Sequence, residues 1–205
     1  MRPARLAFFA AAGIALGASF AILANVLGQA SPPPPTRGLV SSTGAADIGG
    51  PFSLIDQTGA RVTEADLTGR PTALFFGFTW CPDVCPTTLF EVASLMDRLG
   101  VQADEMNFVM VTVDPERDTP EILNEYLAAF DPRLRGLTGT PAEVAAMADA
   151  YRVDVERVAT DGGYTMNHTA SVFLMDAAND FAGTITYHED PDTALAKLRR
   201  LIDAA

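Results

Sequence analysis

The chain has 205 residues, enough for one globular domain with appendages, and sets 14 Lys and Arg against 26 Asp and Glu for a formal net charge of −12. With Arg2, Arg5 and Arg37 set aside, 11 basic residues face the 26 acidic ones, a balance near −15. Such a charge excludes nucleic acid and an anionic lipid surface as partners, and leaves a basic protein partner, a cation or plain solubility.

Residues 6–27 form an almost unbroken apolar run behind Arg2 and Arg5, and no acid occurs before Asp47. As a helix this run would span roughly 33 Å, enough to cross a bilayer. The basic flank keeps the N-terminus in the cytoplasm and sends the rest of the chain across. Residues 1–30 are therefore expected to be a single-pass membrane anchor. The rival reading is a cleaved signal peptide, because Gly28, Gln29 and Ala30 offer small residues at a cleavage site, although the apolar core is long for one. Either reading places the domain outside the cytoplasm. A long Arg- and Ser-rich leader of the mitochondrial kind is not seen, so the expected location is a bacterial inner membrane with the C-terminal domain in the periplasm. Residues 31–50, with Pro32 to Pro35 and then small residues, read as a tether.

Residues 51–205 alternate between strand and helix signals. A short strand is expected over 51–56, ahead of the turn Gln57-Thr58-Gly59. The continuous apolar stretches 73–79 and 107–114 read as strands buried on both faces. A helix is expected over 87–99. The next opens with Thr119 and Pro120 and shows Ile122, Leu123, Tyr126, Leu127 and Phe130 as its apolar stripe. Another begins with the capping-box pattern from Thr140 to Glu143 and is lined by Val144, Met147, Ala148 and Tyr151. Residues 171–175 and 181–187 read as an antiparallel pair, and a last helix, capped by Asp190-Pro191, buries Leu195, Leu198 and Ile202. The order, apart from the first strand, is β-α-β-α-α-β-β-α. It predicts an α/β domain with a mixed central sheet flanked by helices, the layout of a thioredoxin-like fold.

The two cysteines of the chain lie in Trp80-Cys81-Pro82-Asp83-Val84-Cys85-Pro86, between an expected strand and an expected helix. Positions four apart share one face of a helix. If the helix starts near Pro82, both thiols sit in its first turn, where the helix dipole should lower their pKa. A structural disulfide here would close a loop of three residues and add little stability, so the pair reads as functional. Redox dithiols usually have the shorter Cys-x-x-Cys spacing, and the extra residue also lets two sulfurs splay around one metal ion. The pair is thus either a redox couple or a soft-metal clamp. Of the two histidines, His168 stands just before an expected strand, at a junction that faces the cysteine helix in a thioredoxin-like fold, whereas His188 sits among exposed acids and reads as solvated. Two thiolates and an imidazole suit Cu(I), while structural zinc would require a fourth protein ligand. Met166 is a possible extra soft group or simply a packing residue. Asp83 either positions the loop or is a solvated turn carboxylate.

The stretch Gly77-Phe78-Thr79-Trp80-Cys81-Pro82-Asp83-Val84-Cys85-Pro86 resembles the signature of the Sco/SenC proteins. The resemblance continues through Val113-Asp114-Pro115-Glu116-Arg117-Asp118-Thr119-Pro120-Glu121, through Gly136-Leu137-Thr138-Gly139 and through the His168 segment, and covers about residues 50–202 together with the anchor. It implies a membrane-anchored, thioredoxin-like copper metallochaperone that binds Cu(I) or Cu(II) through two cysteines and a histidine, here Cys81, Cys85 and His168. It further implies a copper donor protein and, as acceptor, the binuclear copper site of cytochrome c oxidase subunit II. The family commonly has Asp and Ser around the histidine where this chain has Asn167 and Thr169. The missing carboxylate predicts weaker retention of Cu(II). Competing with delivery are a thiol-disulfide oxidoreductase, which would use Cys81 and Cys85 without His168, and a copper or redox sensor. A peroxidase is disfavoured, since no Pro-x-x-x-Thr-x-x-Cys pattern precedes Cys81.

Overall fold

A computed structural model describes residues 48–205, which lie within one compact unit, Thr43–Ala205. The expected anchor and the tether up to residue 47 fall outside the described residues. Among the described residues no helix is long and apolar enough to cross a membrane.

The apolar stretches in the middle of the domain pair as two parallel strands, β3 (Thr72–Gly77) and β4 (Asn107–Thr112), and every residue of β3 is buried. Around them lie β1 (Ser53–Asp56), β2 (Arg61–Thr63), β5 (Leu134–Thr138), β8 (Val172–Met175) and β9 (Phe181–Ile185), in the order β2-β1-β5-β4-β3-β8-β9. β4 and β5 are parallel; β8 runs antiparallel to β3, β9 to β8, β1 to β5 and β2 to β1. The sheet is therefore mixed, as expected. Helix α1 (Val84–Leu99) links β3 to β4, α2 (Pro120–Leu127) links β4 to β5, α3 (Pro141–Ala150) follows β5, and α4 (Pro191–Asp203) ends the domain. A second, two-stranded sheet, β6 (Val155–Thr160) with β7 (Gly163–His168), stands apart from the first.

Helices cover both faces of the sheet, and the pleat of β3 shows how. Successive side chains of a strand point to opposite faces. A Cβ on Gly77 would lie 3.1 Å from Cys85 Sγ, so the Gly77 face meets α1. Phe76, on the other face, stacks with Tyr151 at the end of α3 (5.6 Å between ring centres) and with Phe173 (6.0 Å). α4 packs beside α1, and its buried residues include Leu195, Leu198 and Ile202, as its periodicity required.

The helix caps follow the sequence. Thr119 Oγ1 accepts from Ile122 N (3.4 Å), Asp190 Oδ1 accepts from Thr193 N (2.9 Å), and Thr140 with Glu143 forms the capping box. In α2 the stripe holds for Leu123 and Leu127, while Ile122 faces water because its phase turns it off the sheet. Four elements differ from expectation: α1 starts at Val84, not 87, and β2, β5 and the β6–β7 hairpin are additional strands. β5 (Leu-Arg-Gly-Leu-Thr) has no alternation to mark it, and the hairpin has no buried residue at all.

Gly136 in β5 is where α2 comes closest to the sheet. A Cβ there would lie 2.8 Å from Leu127 Cδ1 and 3.2 Å from Leu123 Cβ. Gly136→Ala is expected to cost about 1–3 kcal/mol through overpacking, read from the midpoint of urea unfolding with an unchanged slope.

Candidate metal and redox site

The site forms where the chain leaves the ends of β3 and β4. Phe78 continues β3 into the core, 1% exposed, and the chain then turns, with the Cys81 amide donating to Phe78 O at 3.3 Å. Asp118 fixes this turn from the loop after β4. Its carboxylate accepts from Thr79 N (3.1 Å), Thr79 Oγ1 (2.6 Å) and Thr112 Oγ1 (2.6 Å), and its own carbonyl accepts from Thr138 Oγ1 (2.9 Å). Asp118 has no exposed surface, and burial raises its carboxyl pKa above the usual range despite these donors.

Cys81 and Cys85 are free thiols with unlike surroundings. Cys81 precedes α1 and is partly exposed; Cys85 is its second residue and fully buried. The first turn of the helix thus does not hold both thiols, which corrects the simple i, i+4 picture. The Cys85 amide, one of the helix's orphan N–H groups, donates instead to Cys81 Sγ at 3.3 Å, so the sulfur serves as an N-terminal cap. Asp83 occupies the N-cap position without a side-chain cap bond and is exposed. The expected fall in thiol pKa is also corrected at Cys85, where burial pushes the pKa well up, and the Cys81 sulfur beside it adds to the rise. Gly77 makes room for this sulfur: an added Cβ would also sit 2.7 Å from Phe75 Cε2.

His168 ends β7 and brings its imidazole to the buried thiol, with Nε2 3.5 Å from Cys85 Sγ. Nδ1 lies 3.0 Å from Thr169 O. A carbonyl only accepts, so Nδ1 carries the proton and donates, leaving the Nε2 lone pair toward the sulfur. Burial lowers the pKa of the ring, and its edge-to-face contact with Phe78 (5.9 Å) fixes its plane. The neutral thiol and the neutral imidazole are therefore in contact. Among the described residues, no three His, Cys, Asp or Glu side chains already form a metal-holding group.

The other candidates fall outside this contact. His188 is exposed and pairs with Glu91 (2.8 Å). Met166 packs against the core and lines a cleft beside α3. Asn167 lies opposite Glu156 in the hairpin, its Nδ2 3.5 Å from Glu156 Oε2. Residues that the chemistry of the motif did not single out include Asp118, Thr79 and a group at the loop after β4. There Asp114, 3% exposed, accepts from Arg117 Nε and from Tyr164 OH (2.9 Å). The signs of these in the sequence were the Asp-Pro-x-Arg-Asp-Thr-Pro stretch, the cysteine signature that contains Thr79 and the His168 segment.

A dithiol with one buried sulfur against a histidine, at the strand ends of a thioredoxin-like sheet, defines a site for soft metal or disulfide chemistry. The chain belongs to the SCO1/SenC family, whose model matches residues 40–203. It is similar to Bradyrhizobium japonicum ScoI, solved with copper bound (49% identity, TM-score 0.71, covering 75% of this chain and 99% of that one). Among named relatives it is 41% identical to the mitochondrial SCO1 homolog 1 of Arabidopsis thaliana over 154 residues, 74% of this chain but 46% of that protein. It is 34% identical to Protein SenC of Rhodobacter capsulatus over 165 residues, 80% of this chain and 75% of that one.

Asp118 provides a test of the site's frame. Its folded pKa is raised, so the folded state holds this proton more tightly than the unfolded chain. Its contribution is present below the unfolded pKa near 3.8 and is lost as pH rises through the folded value. In Asp118→Asn the amide can donate to Thr79 Oγ1 while its oxygen accepts from Thr79 N and Thr112. Urea unfolding at a series of pH values from about 4 to 8 should show wild type losing stability relative to Asp118→Asn as pH rises. A constant difference would mean that the carboxyl titrates normally.

Proposed function

We propose that this protein is a copper chaperone that binds Cu(I) or Cu(II) through Cys81, Cys85 and His168. It takes the ion from a copper donor protein and delivers it to the binuclear site of cytochrome c oxidase subunit II. The contact between Cys85 Sγ and His168 Nε2 carries this reading. Sulfur and imidazole nitrogen are the donors that Cu(I) prefers, and the bond from Nδ1 to Thr169 O already points the correct nitrogen at the sulfur. Binding would remove the thiol protons, and Cys81, whose sulfur accepts from the Cys85 amide, would complete the set. The Bradyrhizobium relative solved with copper bound supports copper as the ion. The N-terminal apolar run would hold the domain at the periplasmic face of a bacterial inner membrane, which keeps it beside a membrane-bound acceptor.

The unequal exposure of the thiols favours a second reading, thiol-disulfide exchange with the acceptor. The Cys81 thiolate would attack the acceptor disulfide and form a mixed disulfide. Cys85 would then displace the second acceptor thiol and leave Cys81–Cys85 oxidised and the acceptor reduced. This route requires no histidine.

The two are separated by titrating the reduced protein with Cu(I) against a chromophoric chelator. Wild type is expected to bind one equivalent, and His168→Ala to bind at least about tenfold more weakly, the scale on which perturbing a ligand shell acts. Equal binding would remove His168 from the site. A variant that loses copper yet still restores oxidase assembly in cells would favour the reductase.

Asn167 tests the charge near the site. Asn167→Asp adds a carboxylate beside His168 and is expected to raise Cu(II) affinity, even though Glu156 across the hairpin opposes the new charge. Equal Cu(II) titration curves for the two proteins would show that position 167 does not act on the metal.

A further inference from the structure

The hairpin that carries His168 is held to the domain in an unusual way. None of the residues of β6 or β7 is buried, and a cleft of about 300 Å³ separates the hairpin from α3, with Val144 and Ala148 on one wall and Val155 and Met166 on the other. Hydrophobic packing therefore holds it only in part, through the half-buried Met166 and the contact of His168 with Phe78. At its base the Asp154 amide donates to Thr169 Oγ1 (3.2 Å) and the Thr169 amide to Asp154 O (3.2 Å), but these bonds close the hairpin on itself.

The tie to the body is a stack of side chains. The Arg117 guanidinium lies over the Tyr164 ring of β7, 3.8 Å from its centre, and also 5.5 Å from the centre of the Trp80 ring. Trp80 immediately precedes Cys81. Arg117 thus stands between the segment that holds the cysteines and the strand that ends in His168. It donates from Nη1 to Tyr164 O (3.2 Å) and from Nε to the buried Asp114, while Tyr164 OH reaches the same Asp114 (2.9 Å). The outer face of Tyr164 is covered by Arg157, 3.5 Å from its centre, which itself pairs with Glu116 on the body (2.9 Å). Cation–π contacts and charge-assisted hydrogen bonds of this kind are directional and fix an orientation, and they can be broken without opening the core.

We propose that Arg117 and Tyr164 are positioning residues: they latch the hairpin to the body and so set the distance between His168 and the two cysteines. Its copper consequence rests on the chaperone reading above; the latch itself does not. In this arrangement His168 is the ligand that can leave. Loosening this set of surface contacts would free the hairpin while Cys81, in the turn before α1, and Cys85, in its first turn, stay in place.

The test uses the full chain and the variants Tyr164→Leu, which removes the stack and the bond to Asp114, and Tyr164→Phe, which removes only the bond. In the copper-free protein, amide hydrogen exchange across residues 163–168 should speed up about tenfold in Tyr164→Leu and less in Tyr164→Phe, with β3 and β4 unchanged. Unchanged exchange in the hairpin would overturn the latch whatever the protein binds. In the Cu(I) competition, Tyr164→Leu should weaken binding by several-fold up to about tenfold in the wild-type background and have no effect in a His168→Ala background. An equal loss in both backgrounds would overturn the claim that the latch acts through His168. A wild type that binds no copper would overturn the chaperone reading and the copper consequence, while the exchange result would still decide the latch.

Discussion

The site depends on one buried carboxylate. Asp118 has no surface in water, yet it accepts three hydrogen bonds, two from Thr79 beside the cysteine turn and one from Thr112 at the end of β4. Two parallel strands that end side by side leave their last amides and the loops behind them without partners. Asp118 binds both ends at one point, and Thr138 extends the tie to β5. The position of the cysteine turn over the sheet is thereby fixed from the next crossover connection, and a rigid platform for Cys85 results. The cost is a carboxyl taken out of water, which its donors only partly offset.

The two thiols are then divided by burial. Cys85 fits into space that Gly77 leaves open and is pushed toward the protonated form, and the helix's free amide is directed at the sulfur of Cys81. One sulfur is an accessible nucleophile or first ligand, and the other a protected partner that gives up its proton when a cation or a disulfide bond repays the desolvation. Copper binding and disulfide formation both discharge that proton and compete for the same pair. On the proposed chaperone reading, the redox state of Cys81 and Cys85 would gate whether this site takes copper.

The division between legible and hidden elements has physical causes. Continuous apolar strands and well-capped helices declare themselves locally, so β3, β4, α2, α3 and α4 could be read from the sequence with their caps. The cysteine pair could be read as functional because three residues cannot make a stabilising loop. β5 was hidden because Gly136 serves the packing of Leu123 and Leu127, which a propensity argument cannot see. The hairpin was hidden because its strands have no fully buried residue and leave no hydrophobic period. The thiol pKa of Cys85 was hidden for a related reason: the dipole argument uses only the helix, while burial of the sulfur outweighs it there.

The placement of His168 on the least buried element of the domain has a physical logic. A carrier must hold its cargo against water and then give it up, and a site whose ligands all lie on rigid core elements would achieve only the first. In the proposed site, the two sulfurs lie at the turn and helix start that Asp118 and Gly77 fix, and the third donor would come from a ribbon tied down mainly by surface contacts. Those contacts converge on Asp114 and Arg117, in the same loop after β4 that carries Asp118. One loop thus holds the rigid half through one aspartate and the movable half through the other. An incoming protein that competes for Trp80, 65% exposed and beside Cys81, would disturb the outer face of the Arg117 stack before it reached the sulfurs. Docking and loosening of the histidine would then be one event, without any change in the sheet.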